Sequence, residues 1–540
     1  MNQTTFIRKG LWSALLWCGA IAAGWADDRA FVNPYASVDW DAGNAYYANF
    51  HTHTVYSDGE YMPHEAIDAY KKLGYHILAL TDHDTDHYVA RPEILYPWTK
   101  LNTIYEAVEN QPNLSWRWRN RTFGDISKEG WQNRDPDALN MISVPGVEIS
   151  FTDHIGSLFN DYAGYTRSEE TAFVEIGKRG GLAMFFHPGR YNRPPAWYVY
   201  FYERHDHLIG MEVFNQKDRC PDDRDLWDRV LHRMMPDRPI WGFAGDDMHV
   251  TAHLGWNYNI FPLEQLTKPG VRAAMESGAF YFYKPRKQMT PPSLHITRVR
   301  ASHDHIRLTV DGDVDAIHWI TYNPETRQSD IVHQGADLAL ADVPRAATFV
   351  RARIMGAEGT AYTQPFGLRA AEPRERPPPP DGDLQDLAKW SIFRDEGAEL
   401  SLDSSEGKSG NALKATYDLT EGHWVSIVKP VGRISERAII HFDVRGDGNA
   451  NSLELKLEDG GGATYGQHLP MKSDDASWYR MDIAVADLNY WWGGEEKLDL
   501  SNVGLSFAIV KRDGDQGGAG TVYLDNISIR DDYSPGNGVH

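Results

Sequence analysis

The sequence predicts a multidomain protein in which an α/β domain is followed by two all-β sandwich domains. Three observations predict it. Between residues 45 and 250, short apolar runs alternate with amphipathic stretches, the pattern of strands and helices that build a largely parallel sheet or barrel. After about residue 286 the pattern becomes polar–apolar alternation, as in antiparallel β structure. A stretch at 372–383, with four prolines at 377–380, then separates two such β regions as a stiff spacer. The length of 540 residues is too great for one ordinary domain, so this division is also required by size.

Residues 1–26 read as a signal peptide. Arg8 and Lys9 form a basic start, an apolar stretch runs from Gly10 to Ala23, and Gly24 and Ala26 are the small residues before a cleavage point at Asp27. The mature chain is therefore expected to be secreted or periplasmic. The apolar stretch is shorter than the ~20 residues that span a bilayer. Lipoprotein anchoring at Cys18 is the alternative, opposed by the bulky Trp17 before it. No later segment is apolar enough for a transmembrane segment in the mature chain. Cleavage leaves Cys220 alone, so there is no internal disulfide, and a metal site has to be built from His, Asp and Glu.

The α/β domain is placed at 27–285. Strands are predicted at 45–50, 77–80, 141–149, 182–186, 209–214 and 240–244, each a short apolar run. A helix is predicted at 63–73, with Pro63 near its start and Gly74 at its stop, and others at 168–178 and 224–234. Residues 88–140 form an insertion that interleaves Trp98, Trp116, Trp118 and Trp131 with Arg117, Arg119 and Arg121. It reads as a subdomain with its own small core or as a wall of the substrate pocket. Residues 286–370 form the small β-sandwich, with alternation at 305–310, 316–322 and 348–354. Residues 371–384 are the proline-rich linker, 385–532 the second β-sandwich and 533–540 a flexible tail.

Nine potential metal ligands run in order through the first domain: His51, His53, Asp58, His83, Glu148, His154, His187, Asp247 and His249. Several follow a predicted strand, where the active sites of β/α folds lie. A His-x-His pair at a strand end puts both imidazoles on one face, within reach of one ion. The chain has 22 histidines, most of which need no special role, and His64, His76, His87, His205, His207 and His232 are read as structural or exposed. A mixed imidazole–carboxylate set suits Zn, Mn or Fe, and nine donors exceed what one ion needs, so two or three divalent transition metals are expected. The net charge of −22 opposes a polyanionic partner, and no nucleic acid is expected.

The order of Ser57-Asp58-Gly59, Thr81-Asp82-His83-Asp84, Gly146-Val147-Glu148, His187-Pro188-Gly189 and Gly245-Asp246-Asp247-Met248-His249 after the His-x-His pair resembles the PHP (polymerase and histidinol phosphatase) family over about residues 46–285. The segments Val147–Ser150, His187–Tyr191 and Gly210–Val213 look most like its bacterial branch that dephosphorylates nucleoside bisphosphates and trims RNA ends. The resemblance implies a distorted seven-stranded (β/α)7 barrel with a three-metal site. In it His51, His53, Glu148 and Asp247 would hold the first ion, Glu148, His154 and His187 the second, and Asp58, His83 and His249 the third. Asp82 and Asp246 would orient imidazoles from behind. Arg190 would clamp a phosphate, and Glu148 and His249 would share the catalytic work. The implied activity is hydrolysis by water that the metals ionise near neutral pH.

Residues 385–531 resemble family 11-like carbohydrate-binding modules and related galactose-binding jelly rolls, through Gly407–Leu413, Trp424-Val425, Gly446-Asp447-Gly448, Trp478-Tyr479 and Val522–Ile527. Tyr490, Trp491 and Trp492 are the aromatic candidates for stacking on sugar, and Asp525 is the candidate for a structural Ca²⁺. The leading reading is a secreted metal-dependent phosphoesterase acting on a small-molecule or glycan-linked substrate. Its alternatives are an amide, ester or carbamate hydrolase of the PHP group and a non-catalytic glycan-binding surface protein.

Overall fold

Every apolar run predicted between residues 45 and 245 is a strand, and each predicted helix there is a helix. The computed structural model describes residues 31–84, 97–101, 132–369, 386–469, 478–511 and 517–531, apart from 163, 165, 167, 192, 370, 436–437 and 447–450. The signal-peptide segment, most of the 88–140 insertion, the 371–384 linker and the 533–540 tail lie outside the described residues.

The chain runs β1 (Phe31–Val32), β2 (Asn44–Asn49), α1 (Pro63–Lys72), β3 (Tyr75–Leu80), α2 (Pro136–Leu139), β4 (Ile142–Ile149), β5 (Ile155–Leu158), α3 (Glu169–Lys178), β6 (Leu182–Phe185), α4 (Pro195–Tyr202), β7 (Leu208–Asn215), α5 (Asp223–Met234), β8 (Trp241–Gly245), β9 (Tyr258–Leu263), α6 (Lys268–Ser277) and β10 (Tyr281–Pro285). α1 shows why these residues choose their elements. Pro63 opens the first turn, Glu65 accepts from the Met62 N–H at 3.0 Å, and Gly74 leaves the helix at φ +85°. Its buried residues Pro63, Ala66, Ile67 and Tyr70 recur at helical spacing and face the sheet. In α3, Ser168 accepts from the Thr171 N–H at 3.2 Å.

The sheet is mixed rather than largely parallel. β2–β3–β4 and β6–β7–β8 pair in parallel. β5 joins the two sets antiparallel to β4 and β6, and β9 and β10 add antiparallel strands beside β2. The far edge of β8 meets β9 through side chains. Asn259 accepts from the Ala244 N–H at 3.0 Å and donates to the Ala244 carbonyl at 2.8 Å. Gln364 does the same for Gly242 at 2.8 and 2.7 Å, and Asn257 donates to the Gly245 carbonyl at 2.8 Å. Three buried amides thus replace a backbone ladder along this seam.

Residues 286–370, expected as a small β-sandwich, supply strands to two sheets, one of which continues the first. β11 (His295–Ala301), β12 (His305–Asp311) and β15 (Asp337–Ala339) form a small sheet. β13 (Val314–Asn323), β14 (Gln328–Gln334), β16 (Phe349–Gly356), β17 (Gly359–Tyr362) and β18 (Phe366–Leu368) instead extend the first sheet, β17 pairing with β10 and β18 with β1. Alternation marks a strand but not its partner. Pairing with β17 covers an edge of β10 that would otherwise present open N–H and C=O groups.

The C-terminal domain is a sandwich. A six-stranded sheet is built from β19 (Ser391–Arg394), β22 (Trp424–Gly432), β24 (Ser452–Asp459), β25 (Thr464–Leu469), β27 (Asn489–Trp492) and β28 (Val503–Val510). A five-stranded sheet of β20 (Glu399–Glu406), β21 (Asn411–Asp418), β23 (Ala438–Gly446), β26 (Tyr479–Ala484) and β29 (Ala519–Asp531) covers it. Leu455, Leu505, Phe507, Ile440, Phe442 and Met481 fill the space between. The five-stranded sheet also docks on the first domain: Tyr200 of α4 meets Tyr479 at 4.3 Å, Arg233 of α5 donates to the Asp482 carbonyl at 3.0 Å, and Arg229 pairs with Asp487.

Candidate metal centre

The ends of the parallel strands point their following residues to one place. His51 and His53 follow β2, His83 follows β3, Glu148 closes β4, His187 follows β6, and Asp247 and His249 follow β8. Isolated bridges between Thr52 and Met248 and between His83 and Glu148 tie these loops together. His154, His187 and Asp247 have φ of 50°, 31° and 43°, a left-handed backbone that non-glycine residues seldom adopt. Strain concentrated on three donor residues is what a functional site sustains.

Three overlapping groups of donors result: His51, His53, Glu148 and Asp247; His53, Asp58, His83 and His249; and His83, Glu148 and His154. Within each, the donor atoms lie within 4.8 Å of one another, so each could hold an ion. Glu148 is fully buried at the centre. Its Oε2 lies 3.3 Å from His51 Nε2, 3.1 Å from His53 Nε2 and 3.0 Å from His83 Nδ1. Its Oε1 lies 2.6 Å from His154 Nδ1 and 3.2 Å from His187 Nε2. Asp247 Oδ1 sits 3.3 Å from His51, 3.2 Å from His53 and 3.4 Å from His249. Asp58 meets His249 at 3.1 Å and His83 at 3.6 Å. Eight of the nine positions singled out by sequence fall in these groups, with His53, His83 and Glu148 each in two; His83 stands in the group expected to hold His187, which meets the cluster through Glu148 Oε1 at 3.2 Å.

The donor chemistry fits divalent cations. His51 Nε2, His53 Nε2, Glu148 Oε2 and His187 Nδ1 are buried without a hydrogen-bond partner, a costly state for polar atoms that a cation would relieve. Burial resists charge on Glu148 and Asp247, yet the imidazoles around them hold both well below the usual carboxylate range. Burial and the neighbouring His83 oppose a proton on His53, yet Asp247 and Glu148 push its pKa up to about 9. Protons drawn onto imidazoles by surrounding acids occupy the positions that cations take in competition with them.

The supporting contacts differ in part from expectation. Asp82 accepts from Thr54 and Ser57, and Asp246 from the backbone N–H groups of Gly255, Trp256 and Asn257; both hold loops, and Asp82 reaches an imidazole through Ser57, whose Oγ lies 2.7 Å from Asp82 Oδ1 and 3.2 Å from His53 Nδ1. Glu212 meets an imidazole directly. Its Oε1 lies 2.9 Å from His51 Nδ1, while its Oε2 accepts from the His187 N–H at 2.9 Å. Gly245 makes room for it, since a Cβ there would stand 1.7 Å from Glu212 Oε1. The signal for Glu212 was one acid inside an apolar strand. His249 is oriented by its Nδ1, 2.8 Å from the Asp247 carbonyl. Arg190 is exposed, its guanidinium 5.6 Å from the Tyr191 ring. The Tyr191 ring stands 5.6 Å from His154 and 6.0 Å from His187, and its hydroxyl has no hydrogen-bond partner. Of the insertion's tryptophans, Trp98 is described and is buried; the others and the three arginines lie outside the described residues.

A second feature lies on the open face of the six-stranded sheet: a cleft of about 880 Å³ lined by Phe393, Trp424, Glu454, Lys456, Asp459 and Trp492 among others. Residues 380–529 match the profile of the carbohydrate binding domain (family 11). The C-terminal sandwich thus resembles a family 11 carbohydrate-binding module. Of the three aromatics expected to meet sugar in this module, Trp492 is half-exposed and lines the cleft. Tyr490 donates to the Gly493 carbonyl at 3.0 Å, and Trp491 stacks on His468 at 4.7 Å. Phe393 and Trp424 were not anticipated there. Asp525, the Ca²⁺ candidate of this module, is buried and accepts from the N–H groups of Ser409 and Asn526 at 2.8 and 2.7 Å.

Endoglucanase H of Acetivibrio thermocellus is 28% identical over 134 residues, 22% of this chain; the chain spans only 15% of that relative's length. The 5'-3' exoribonuclease Rnm of Escherichia coli is 24% identical over 262 residues, 39% of this chain and 87% of that protein. A solved two-domain protein of Bacteroides vulgatus, described as containing a predicted PHP-like metal-dependent phosphoesterase, is 16% identical with a TM-score of 0.32, covering 63% of this chain and 90% of that one.

Proposed function

We propose that the N-terminal centre is a metal-dependent hydrolase, a phosphoesterase first, and that the family 11 module holds it against glycan-bearing material. One observation carries the catalytic reading: three donor groups overlap, and two of them share the buried Glu148 carboxylate. The mixed sheet, six strands paired in parallel together with the antiparallel β5, β9 and β10, is read as a distorted barrel of the PHP type. The domain divisions at 27–285, 286–370 and 385–532 and the cleaved leader at 1–26 belong to the same proposal, as does export from the cell. Among the described residues no helix is long and apolar enough to cross a membrane.

Two or three Zn, Mn or Fe ions would be held by the nine donors, and when bound they supply Lewis acidity and ionise water near neutral pH. Glu148 and Asp247 position the reacting centre from below, because both are buried and anchored by imidazoles on several sides. The partly exposed rim consists of Asp58, His83, His154 and His249. Proton delivery to a leaving group falls to this rim, where His249 Nε2 and Asp58 Oδ1 stand 3.1 Å apart.

The test is a substrate screen with p-nitrophenyl phosphate, bis-p-nitrophenyl phosphate and p-nitrophenyl acetate, with metal content measured on the same sample. We expect phosphoester turnover with roughly two or more metals per chain. Less than one metal per chain after loading with Mn²⁺ or Zn²⁺ would sink the enzyme reading. Turnover of the acetate ester alone would select the amide, ester or carbamate alternative.

A further inference from the structure

The loop after β7 carries Gln216-Lys217-Asp218-Arg219, and its backbone is fixed from behind. Gln216 turns with φ +51°, and its carbonyl accepts from Lys284 Nζ at 3.2 Å and Asn257 Nδ2 at 2.9 Å. The pinned loop reaches the metal centre at Asp247. Gln216 Nε2 donates to Asp247 Oδ2 at 3.1 Å, and Arg219 Nη1 donates to the same oxygen at 3.2 Å. The carboxylate is thus divided: Oδ1 faces His51, His53 and His249, and Oδ2 faces the loop.

Arg219 is the guanidinium that touches this cluster while still opening to solvent, with its side chain 43% exposed. The nearby Asp218 is taken by Arg224 at 2.7 and 3.2 Å, and Arg193 is taken by Asp153. Among the described residues, Asp247 is the one carboxylate that Arg219 meets. A planar fork held at one corner by a donor carboxylate presents its remaining N–H groups beside the reacting centre.

The geometry points to Arg219 as the residue that binds an anionic oxygen of the substrate, and to a phosphoryl group as the ligand class. This rests on the phosphoesterase reading and replaces Arg190 as the clamp.

The experiment uses the full metal-loaded chain with Arg219→Ala and Arg219→Lys. Inorganic phosphate binding is measured by calorimetry, turnover on p-nitrophenyl phosphate and p-nitrophenyl acetate, and metal content on each sample. The expected result is a loss of phosphate affinity of about 10- to 100-fold in Arg219→Ala, the range of a charge-assisted hydrogen bond. Loss of kcat/KM on the phosphate ester should exceed loss on the acetate ester by about tenfold, and Lys should restore only part of it, lacking the fork. Phosphate affinity within about twofold of the parent would overturn the assignment. So would equal losses on both esters, or loss of metal, since Arg219 would then act only through Asp247. If the parent protein turns over neither ester, the phosphoesterase reading fails, and the phosphate calorimetry still decides Arg219.

Discussion

His51 has a different partner on each ring nitrogen: Nδ1 meets Glu212, and Nε2 faces Glu148 and Asp247. The first contact fixes the ring so that the second can serve a metal. Glu212→Gln keeps the shape and removes the charge, and metal affinity should fall about 10- to 100-fold in a chelator competition with the circular dichroism spectrum unchanged. Glu148→Gln should act more severely, because the carboxylate is shared between donor groups: at least one ion should be lost in elemental analysis, together with phosphoester turnover. Most of the donors were legible because they sit in short motifs just past or at the end of a strand, while Asp58 was legible from Ser57-Asp58-Gly59 in the turn before α1. Glu212 and Arg219 were not. Glu212 is a single acid in Leu208–Asn215, and whether a buried acid faces a histidine depends on the twist of the next strand. Arg219 lies among alternating charges, where the sequence does not say which one reaches inward.

At the scale of elements, α5 is bound to the small β region by one buried ion pair. Asp228 accepts from Arg351 Nε at 2.7 Å and Nη2 at 2.6 Å and from Ser329 Oγ at 2.5 Å, with both charged side chains almost wholly out of water. Removing one partner strands the other. Asp228→Ala should destabilise the protein by about 3–5 kcal/mol in urea unfolding, and the double variant with Arg351→Met should recover part of the loss. Helices α1, α3 and α5 were legible because polar and apolar residues alternate at helical period. α4 was not, because Pro195–Tyr202 is aromatic and apolar on every side and is buried between the sheet and the C-terminal module. β9 and β10 were missed for a related reason: Tyr258–Leu263 contains Pro262, and periodicity says nothing of a strand returning beside β2.

At the scale of the whole molecule, the back of the C-terminal module rests on α4 and α5 and leaves the cleft of the opposite sheet open. Asp482 lies at this contact. Burial resists its ionisation, but the hydrogen bond from His441, reinforced by Arg480 and Arg233, holds its carboxyl below the usual range. A carboxyl depressed in the folded state contributes stability above its unfolded pKa of about 3.9 and loses it as pH falls through the folded value. The thermal midpoint should therefore drop from about pH 4 downward, and His441→Ala should flatten that drop in melts recorded from acid to neutral pH. The proposed glycan binding is tested in the cleft: a soluble polysaccharide that retards the protein in affinity electrophoresis should bind Trp492→Ala about tenfold more weakly, the loss of one stacked ring. The β character of the chain beyond residue 286 was legible from its polar–apolar alternation. The continuity of one sheet through residues 286–368 was not, because it depends on β17 finding β10 and β18 finding β1.

The seam along β8 has a consequence for when the metal centre comes apart. The amide hydrogens of Gly242 and Ala244 are bonded by the side chains of Gln364 and Asn259 rather than by the backbone of a neighbouring strand. Exchange at these two positions should precede exchange on the β7 side of the same strand. An ion gripping Asp247 and His249, just beyond, would slow it.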